Sequence, residues 1–122
     1  MIRHGEPPYL ECSSKGDKRF SAFFARIRMF DNRTIEDLYQ SSKVFEGGVT
    51  GLSWREAKGK RPVNDAEVRD IYAHLWDTYI EENPELLGVL KAASGLSDIF
   101  GQPGSTCQAT ELWRIRNALK QD

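Results

Sequence analysis

An apolar stripe between residues 64 and 82 constrains the fold more than any other feature of this chain. Its members recur at the spacing of one helix face over about three turns: Val68, Ile71, Tyr72, Leu75, Trp76, Tyr79 and Ile80. Asn64 and Glu67 precede the stripe at capping-box spacing, which predicts the start of the helix. Pro84 disfavours helix at the residue before it and predicts an end near Asn83. We therefore predict a central packing helix over 64–82.

A second stretch, from residue 34 to residue 45, carries two different faces at helical spacing. The face suited to packing contains Ile35, Leu38, Ser42 and Phe45. The polar face contains Glu36, Gln40 and Lys43, with Tyr39 at its border. Thr34 and Asp37 are close to a capping box and predict the helix start. The polar face either meets a ligand or is a solvated surface with a loose pairing of Glu36 and Lys43.

The remaining elements complete a mostly helical α+β fold. At 122 residues the chain is long enough for one domain, which we expect to span 1–122. Segments 9–12 and 25–29 have the character of short strands and could pair as an N-terminal hairpin. Residues 96–100 are a short strand or an extended segment. Capping and breaker residues, among them a capping box of Ser53 and Glu56, predict further helices over 54–58, from Pro84 onwards, and from Thr106 or Ala109 to Leu119.

Charge, hydropathy and cysteine usage exclude several classes. A net charge of -1 argues against a protein that coats nucleic acid by charge alone. Neither a signal peptide nor a run near the ~18 apolar residues of a membrane span is evident, so we expect a cytoplasmic protein without a membrane partner. Cys12 and Cys107 lie far apart without metal-ligand spacing, and the only histidines are His4 and His74. We expect reduced thiols, no metal and no cofactor.

A basic segment follows the predicted helix at 54–58. Lys58, Lys60 and Arg61 place three positive charges in four residues, and Arg55 precedes them by one turn. The segment could hold a phosphate-sized anion or could be a solvated run of charge. Trp54 could stack on a base or could serve packing alone.

Several of these motifs together resemble the NADAR superfamily, which is named for its association with NAD and ADP-ribose. The resemblance covers the chain from about Phe20 to Leu119. In order, it rests on Phe20-Ser21-Ala22-Phe23, Glu36-x-x-Tyr39-Gln40-x-x-Lys43, the central helix, Glu82-Asn83-Pro84-Glu85-Leu86-Leu87, and Asp98. Its most specific part is the E-x-x-Y-Q-x-x-K signature on a helix, preceded by the FSxF segment.

The resemblance implies a single NADAR-like domain with a polar cleft and N-glycosidase activity. Family members hydrolyse N-glycosidic bonds of riboflavin-pathway intermediates or remove ADP-ribose from guanine bases. The implied substrate here is a ribosylated nucleotide or an ADP-ribosylated nucleic acid. Carried over by position, the cleft residues are Glu36, Tyr39, Gln40 and Lys43. The implied wall and nearby residues are Phe20, Ser21, Phe23, Trp54 and Asp98.

Hydrolysis of such a bond passes through an oxocarbenium-like sugar, which requires negative charge near the ribose. Glu36 and Asp98 are the candidates for this role. A carboxyl group held protonated by burial, or Lys43, could assist the departing base. Lys43 could instead bind phosphate.

The helpers for phosphate binding would be Arg55, Lys58 and Arg61. Phe23 is a candidate for stacking on the base.

Two other classes remain open at this point. A non-catalytic ADP-ribose or nucleotide-binding module would keep the stacking rings and the basic segment without a water-activating carboxylate. A small adaptor or inhibitor would present an exposed aromatic patch instead of a cleft. Whether Glu36 and Asp98 face one concave pocket is the observation that distinguishes these classes.

Overall fold

The structure, a computed structural model, describes residues 1–120 apart from the side chains of Trp54 and Lys120. Its mostly helical α+β architecture confirms the predicted fold class. The α-helices of the described chain are α1 Ile35–Ser42, α2 Trp54–Ala57, α3 Asp65–Glu82, α4 Glu85–Ala92 and α5 Gln108–Lys120. The strands are β1 Ile2–Gly5, β2 Tyr9–Glu11, β3 Arg26–Ile27, β4 Arg33–Thr34 and β5 Gly95–Asp98. Within residues 1–120, no helix combines the length and the apolar composition that crossing a membrane requires.

Helix α3 is the central packing helix that its apolar stripe predicts. The buried members of the stripe are Val68, Tyr72, Leu75, Trp76, Tyr79 and Ile80. The helix packs against α1 on one side and α5 on another. Burying a side chain of this size stabilises the fold by about 1.5–3 kcal/mol relative to leaving it in water, so α3 anchors the domain.

The start of α3 differs from the prediction in one respect. Asn64 stands at the N-cap but makes no capping hydrogen bond to the helix. Its side-chain oxygen instead accepts from the Val44 N–H at 2.9 Å, and its amide donates to the Ser42 carbonyl at 3.1 Å. The predicted Asn64–Glu67 capping box is therefore wrong, because the Asn64 amide ties the end of α1 to the start of α3.

The three-stranded sheet has the order β1-β5-β2, with β5 in the middle. Strand β5 runs antiparallel to β1, with Ile2 opposite Asp98, and parallel to β2, with Glu11 opposite Ser97. All four residues of β5 are buried, as a central strand requires. The predicted hairpin between 9–12 and 25–29, at the N-terminus, is therefore wrong.

Strand β3 pairs with its close neighbour β4 instead. Asp31 and Asn32 form the turn between them and both adopt left-handed backbone angles, which acidic and amide residues tolerate better than most. The hairpin prediction is wrong because β2 pairs with β5, which lies more than 80 residues further along the chain.

Helix α1 starts where the sequence predicts, and its first turn holds the preceding segment in place. Thr34 caps the helix by accepting from the Asp37 N–H at 3.1 Å. The N–H groups of Ile35 and Glu36 donate to the carbonyls of Ala25 and Ala22, each at 2.9 Å. These helix-terminal donors have no partner within the helix, so the 22–25 segment satisfies them. The contact brings Phe23 next to the start of α1, where Glu36 lies.

Candidate active site

A concavity of about 160 Å³ brings Glu36 and Asp98 to one place. We call this cavity the small concavity. Its lining residues are Ser13, Ser14, Phe23, Glu36 on α1, Tyr72 on α3, Asp98, Phe100, Gly101 and residues 105–108. Asp98 is buried and Glu36 is partly exposed. Both carboxylates therefore line a single concave surface, which is the arrangement that a cleft requires.

Asp98 is held in one orientation by three donors. Its Oδ1 accepts from the Phe100 N–H at 3.0 Å, and its Oδ2 accepts from Gln108 Nε2 at 2.8 Å and from the Cys107 thiol at 3.4 Å. The Gln108 Oε1 in turn accepts from the Ala22 N–H at 2.8 Å. Asp98 thus stabilises the turn after β5 and also lines the small concavity.

Glu36 lies in a less polar setting. Its Oε1 accepts from Gln40 Nε2, one helical turn away, at 2.8 Å. Burial raises the pKa of the Glu36 carboxyl group, while the Gln40 hydrogen bond and the positive charge of Lys43 act in the opposite direction. The net pKa is raised, which brings Glu36 closer to the range in which a carboxylate acts as a general base near neutral pH.

Tyr72 and Cys107 complete the inner part of the small concavity. Burial raises the pKa of Tyr72 well above its ordinary value, and the negative charge of Glu36 adds to the shift, so the phenol keeps its proton. The Tyr72 ring packs edge-on against Tyr39, with 4.8 Å between the ring centroids. Burial also raises the pKa of the Cys107 thiol, which remains a donor to Asp98. Both groups offer protons rather than negative charge.

A larger groove of about 440 Å³ adjoins the small concavity and shares Phe23 and Glu36 with it. The charged residues of this adjoining groove are Arg33, Glu36, Asp37 and Glu56. Arg33 Nε donates to Asp37 Oδ2 at 2.6 Å, so the guanidinium is already paired. The predicted capping box of Ser53 and Glu56 is confirmed and places Glu56 at the wall of this groove.

Four residues that the resemblance assigns to the cleft or its wall line neither the small concavity nor the adjoining groove. Phe20 and Ser21 are completely buried, so they support the segment that carries Phe23 and present no surface to a ligand. Tyr39 on α1 and Lys43 just after it are half-buried and line neither the small concavity nor the adjoining groove. The predicted helical stretch over 34–45 is too long, because the backbone is already extended at Lys43, and Lys43 and Phe45 lie outside the helix. The Lys43 ammonium lies 4.5 Å from the centre of the Tyr39 ring. Of the E-x-x-Y-Q-x-x-K signature, only Glu36 and Gln40 contact the concave surfaces.

The basic segment lies beside the candidate site. Arg61 and Lys60 line a separate groove of about 390 Å³, which we call the basic groove and which meets the adjoining groove at Leu52. Arg61 forms an ion pair with Asp65 at 3.6 Å. Arg55 and Lys58 are exposed and line none of these three surfaces. The side chain of Trp54, also predicted for the site, lies outside the described part of the chain.

Sequence reasoning did not assign Tyr72, Phe100 or Gln108 to the site. The apolar stripe gives Tyr72 a packing role, although a phenol within such a stripe is a signal that one end of the side chain meets a polar space. The roles of Phe100 and Gln108 depend on β5 lying against the start of α5. Neither the spacing nor the composition of their segment shows that placement.

No known protein family and no curated protein matches this chain. Within residues 1–120, histidine, cysteine and acidic side chains form no group of three that could hold a metal ion. The geometry defines a concave site with two carboxylates, a buried phenol and exposed aromatic rings. Its chemistry follows from those groups.

Proposed function

We propose that the protein is an N-glycosidase that hydrolyses the N-glycosidic bond of a ribosylated substrate in the cytoplasm. Suitable substrates are ADP-ribose attached to a nucleobase or a phosphoribosyl pyrimidine intermediate. The observation that supports this most strongly is that Glu36 and Asp98 line one small concavity together with the exposed ring of Phe23. The resemblance of the chain to the NADAR superfamily supports the same chemistry.

Glu36 is the residue to which we assign the central role. As the C1–N bond of the riboside breaks, its electron pair leaves with the base and positive charge develops on the sugar. A carboxylate beside the sugar stabilises that charge and accepts a proton from the water whose oxygen adds to C1. Glu36 suits this role because one oxygen is oriented by Gln40 and its raised pKa improves it as a base.

Asp98 and Lys43 act in supporting roles. Both oxygens of Asp98 already accept hydrogen bonds, so it supplies a fixed negative charge rather than a mobile base. Lys43 lies over the Tyr39 ring, outside the small concavity, and it influences the site through its charge on Glu36. We therefore assign Lys43 an electrostatic role and not the role of the acid at the departing base. Tyr72, which keeps its proton, is the buried donor within the small concavity.

The test is incubation of the purified protein with ADP-ribosylated DNA, free nucleotides and ribosylated pyrimidines, with products identified by mass spectrometry. We expect release of a free base and a free sugar. Glu36→Gln should lower turnover by about 100-fold or more, on the scale of removing a general base, with little change in binding. Glu67→Gln is the matched control, since Glu67 is exposed on α3 and lines neither the small concavity nor the adjoining groove. Equal loss in both variants, or none in either, contradicts the assignment of Glu36.

The second candidate is a non-catalytic ADP-ribose or nucleotide-binding module. The three hydrogen bonds that Asp98 accepts favour it, because a carboxylate held in this way serves to orient the turn after β5. Calorimetric binding of a nucleotide without turnover of any riboside would support this class. Under it, Glu36→Gln and Glu67→Gln should differ only in affinity.

A further inference from the structure

We infer that the protein acts on N-ribosides of cationic heteroaromatic bases. In such a substrate the base that leaves carries the positive charge. The inference rests on the proposed N-glycosidase function and specifies the substrate class for the same site. It is supported by the charges of the small concavity, by the rings at its rim and by the chemistry of the leaving group.

The charges that line the site are almost all negative. Glu36 and Asp98 line the small concavity, and among the described residues no lysine, arginine or histidine does so. In the adjoining groove, the guanidinium of Arg33 is paired with Asp37. Glu36 and Glu56 remain there as negative groups. A neutral base gains little from such a surface, whereas a cationic ring is attracted to it.

Two exposed aromatic rings line the same small concavity. Phe23 is 50% exposed and Phe100 is 61% exposed, although both are large apolar side chains. Exposed rings of this size at a concave surface are typical of ligand-binding sites. The face of an aromatic ring attracts cations, and a flat ring can also stack on it. Rings and carboxylates together therefore favour a planar cation over a planar neutral molecule.

The leaving-group chemistry agrees with this charge distribution. When the C1–N bond of a cationic N-riboside breaks, the bond electrons neutralise the ring, so the base departs without needing a proton. The positive charge passes to the sugar, and water then adds to C1 and gives a proton to Glu36. The charge therefore stays within the small concavity throughout the reaction. A neutral base would need an acid at its nitrogen, and Lys43 does not line this surface. Tyr72 does line it, but burial raises its pKa well above the ordinary value, so it can donate a hydrogen bond and is a poor source of a proton. The Cys107 thiol already donates to Asp98.

Two matched pairs of compounds test the inference. 7-Methylguanosine and guanosine share the purine and the ribose and differ by one methyl group and one positive charge. 1-Methylnicotinamide and nicotinamide differ in the same way and have no glycosidic bond, so they report binding alone. We expect kcat/KM for 7-methylguanosine, corrected for spontaneous hydrolysis, to exceed that for guanosine by about tenfold or more. Calorimetry should show the same preference for 1-methylnicotinamide over nicotinamide.

Matched phenylalanine variants show whether the rim rings provide this preference. Phe100→Leu should reduce the preference for 1-methylnicotinamide several-fold, to about a third or less, because leucine has no aromatic face. Phe24→Leu is the control, since Phe24 is 46% exposed but does not line the small concavity. Circular dichroism and the melting temperature establish that both variants are folded. If the two variants behave alike, the rim does not recognise the cation and the inference fails.

The outcomes separate this inference from the proposed function. Turnover of guanosine equal to or faster than that of 7-methylguanosine overturns the inference and leaves the N-glycosidase intact. Tighter binding of 1-methylnicotinamide with no turnover of any riboside overturns the N-glycosidase and leaves a cation-binding site. Neither turnover nor a preference for the cations overturns both.

Discussion

Gln108 joins Asp98 to the segment that carries Phe23: its Nε2 donates to Asp98 Oδ2 at 2.8 Å, and its Oε1 accepts from the Ala22 N–H at 2.8 Å. Gln108, Asp98 and Ala22 are all buried. One amide therefore sets the position of an acid and of an aromatic ring on two walls of the same small concavity.

Removing that amide should destabilise the fold. Gln108→Leu keeps a similar volume but leaves the Ala22 N–H without its partner and Asp98 without one of its donors. Each buried polar group left unpaired costs about 1–3 kcal/mol, so we expect the free energy of unfolding in urea to fall by an amount in that range. Gln102→Leu is the control, because Gln102 is exposed in the loop before α5. An equal, small effect of both changes would contradict the bridging role.

The pH dependence of turnover should report the environment of Glu36. Its pKa is raised above 4.5 by burial, and the proposed mechanism needs the ionised form. The acidic limb of kcat/KM should therefore have its midpoint above 4.5. Gln40→Leu removes a hydrogen bond that lowers this pKa, and Lys43→Met removes a charge that lowers it, so each should move the midpoint upwards. Lys91→Met, on the exposed part of α4, should leave it unchanged.

The same raised pKa predicts that Glu36 weakens the fold at neutral pH. A carboxyl group whose pKa is higher in the folded state binds its proton more tightly there, so its ionised form destabilises the folded protein relative to the unfolded chain. Glu36→Gln should raise the melting temperature at pH 7, because it removes the ionised carboxylate that opposes folding there. The difference should shrink as the pH falls through the raised pKa, because Glu36 itself then becomes neutral. Calorimetry at several pH values measures this, and a lower melting temperature for Glu36→Gln at pH 7 would refute it.

Leu75 tests the packing of α3. It is buried among the core residues of the domain, and Leu75→Ala removes most of its side chain. We expect the free energy of unfolding to fall by about 2–5 kcal/mol, combining the lost transfer free energy with the cavity that remains. Glu81→Ala on the exposed side of the same helix should change it by no more than about 0.5 kcal/mol. Similar losses in the two variants would show that α3 does not anchor the core.

Local patterns in the sequence predict where the helices lie, although α1 ends at Ser42 and not at Phe45. The stripe from Val68 to Ile80 identifies α3 because a helix has one period and needs one buried face. Thr34 and Ser53 cap α1 and α2 through hydrogen bonds that span three residues, so the whole signal lies in a short window. Asn64 also stands at a helix start, but its amide bonds to the end of α1. A local pattern cannot show that competition.

The site was less predictable because its parts come from distant segments. Glu36 and Asp98 could be proposed, but their shared concavity depends on the packing of β5 against α5, and Gln108 has a role only in that packing. The basic segment shows the opposite case, in which residues that are close in sequence do not line the site. The cations near Arg61 suggested a phosphate site within the cleft, but Lys60 and Arg61 line a separate groove. The order of charged residues in the sequence does not determine which surface their side chains line.

The middle position of β5 has a consequence for the order in which the chain can fold. Strands β1 and β2 are made early, but each is hydrogen-bonded to β5, whose residues are joined to the chain about 85–95 positions later. During synthesis on the ribosome both early strands lack their partner until residues 95–98 have emerged. Pairing over such a separation closes a long loop and is slow compared with helix formation. We therefore expect the helices to form first and the sheet, with Asp98 at the end of its central strand, to be assembled last.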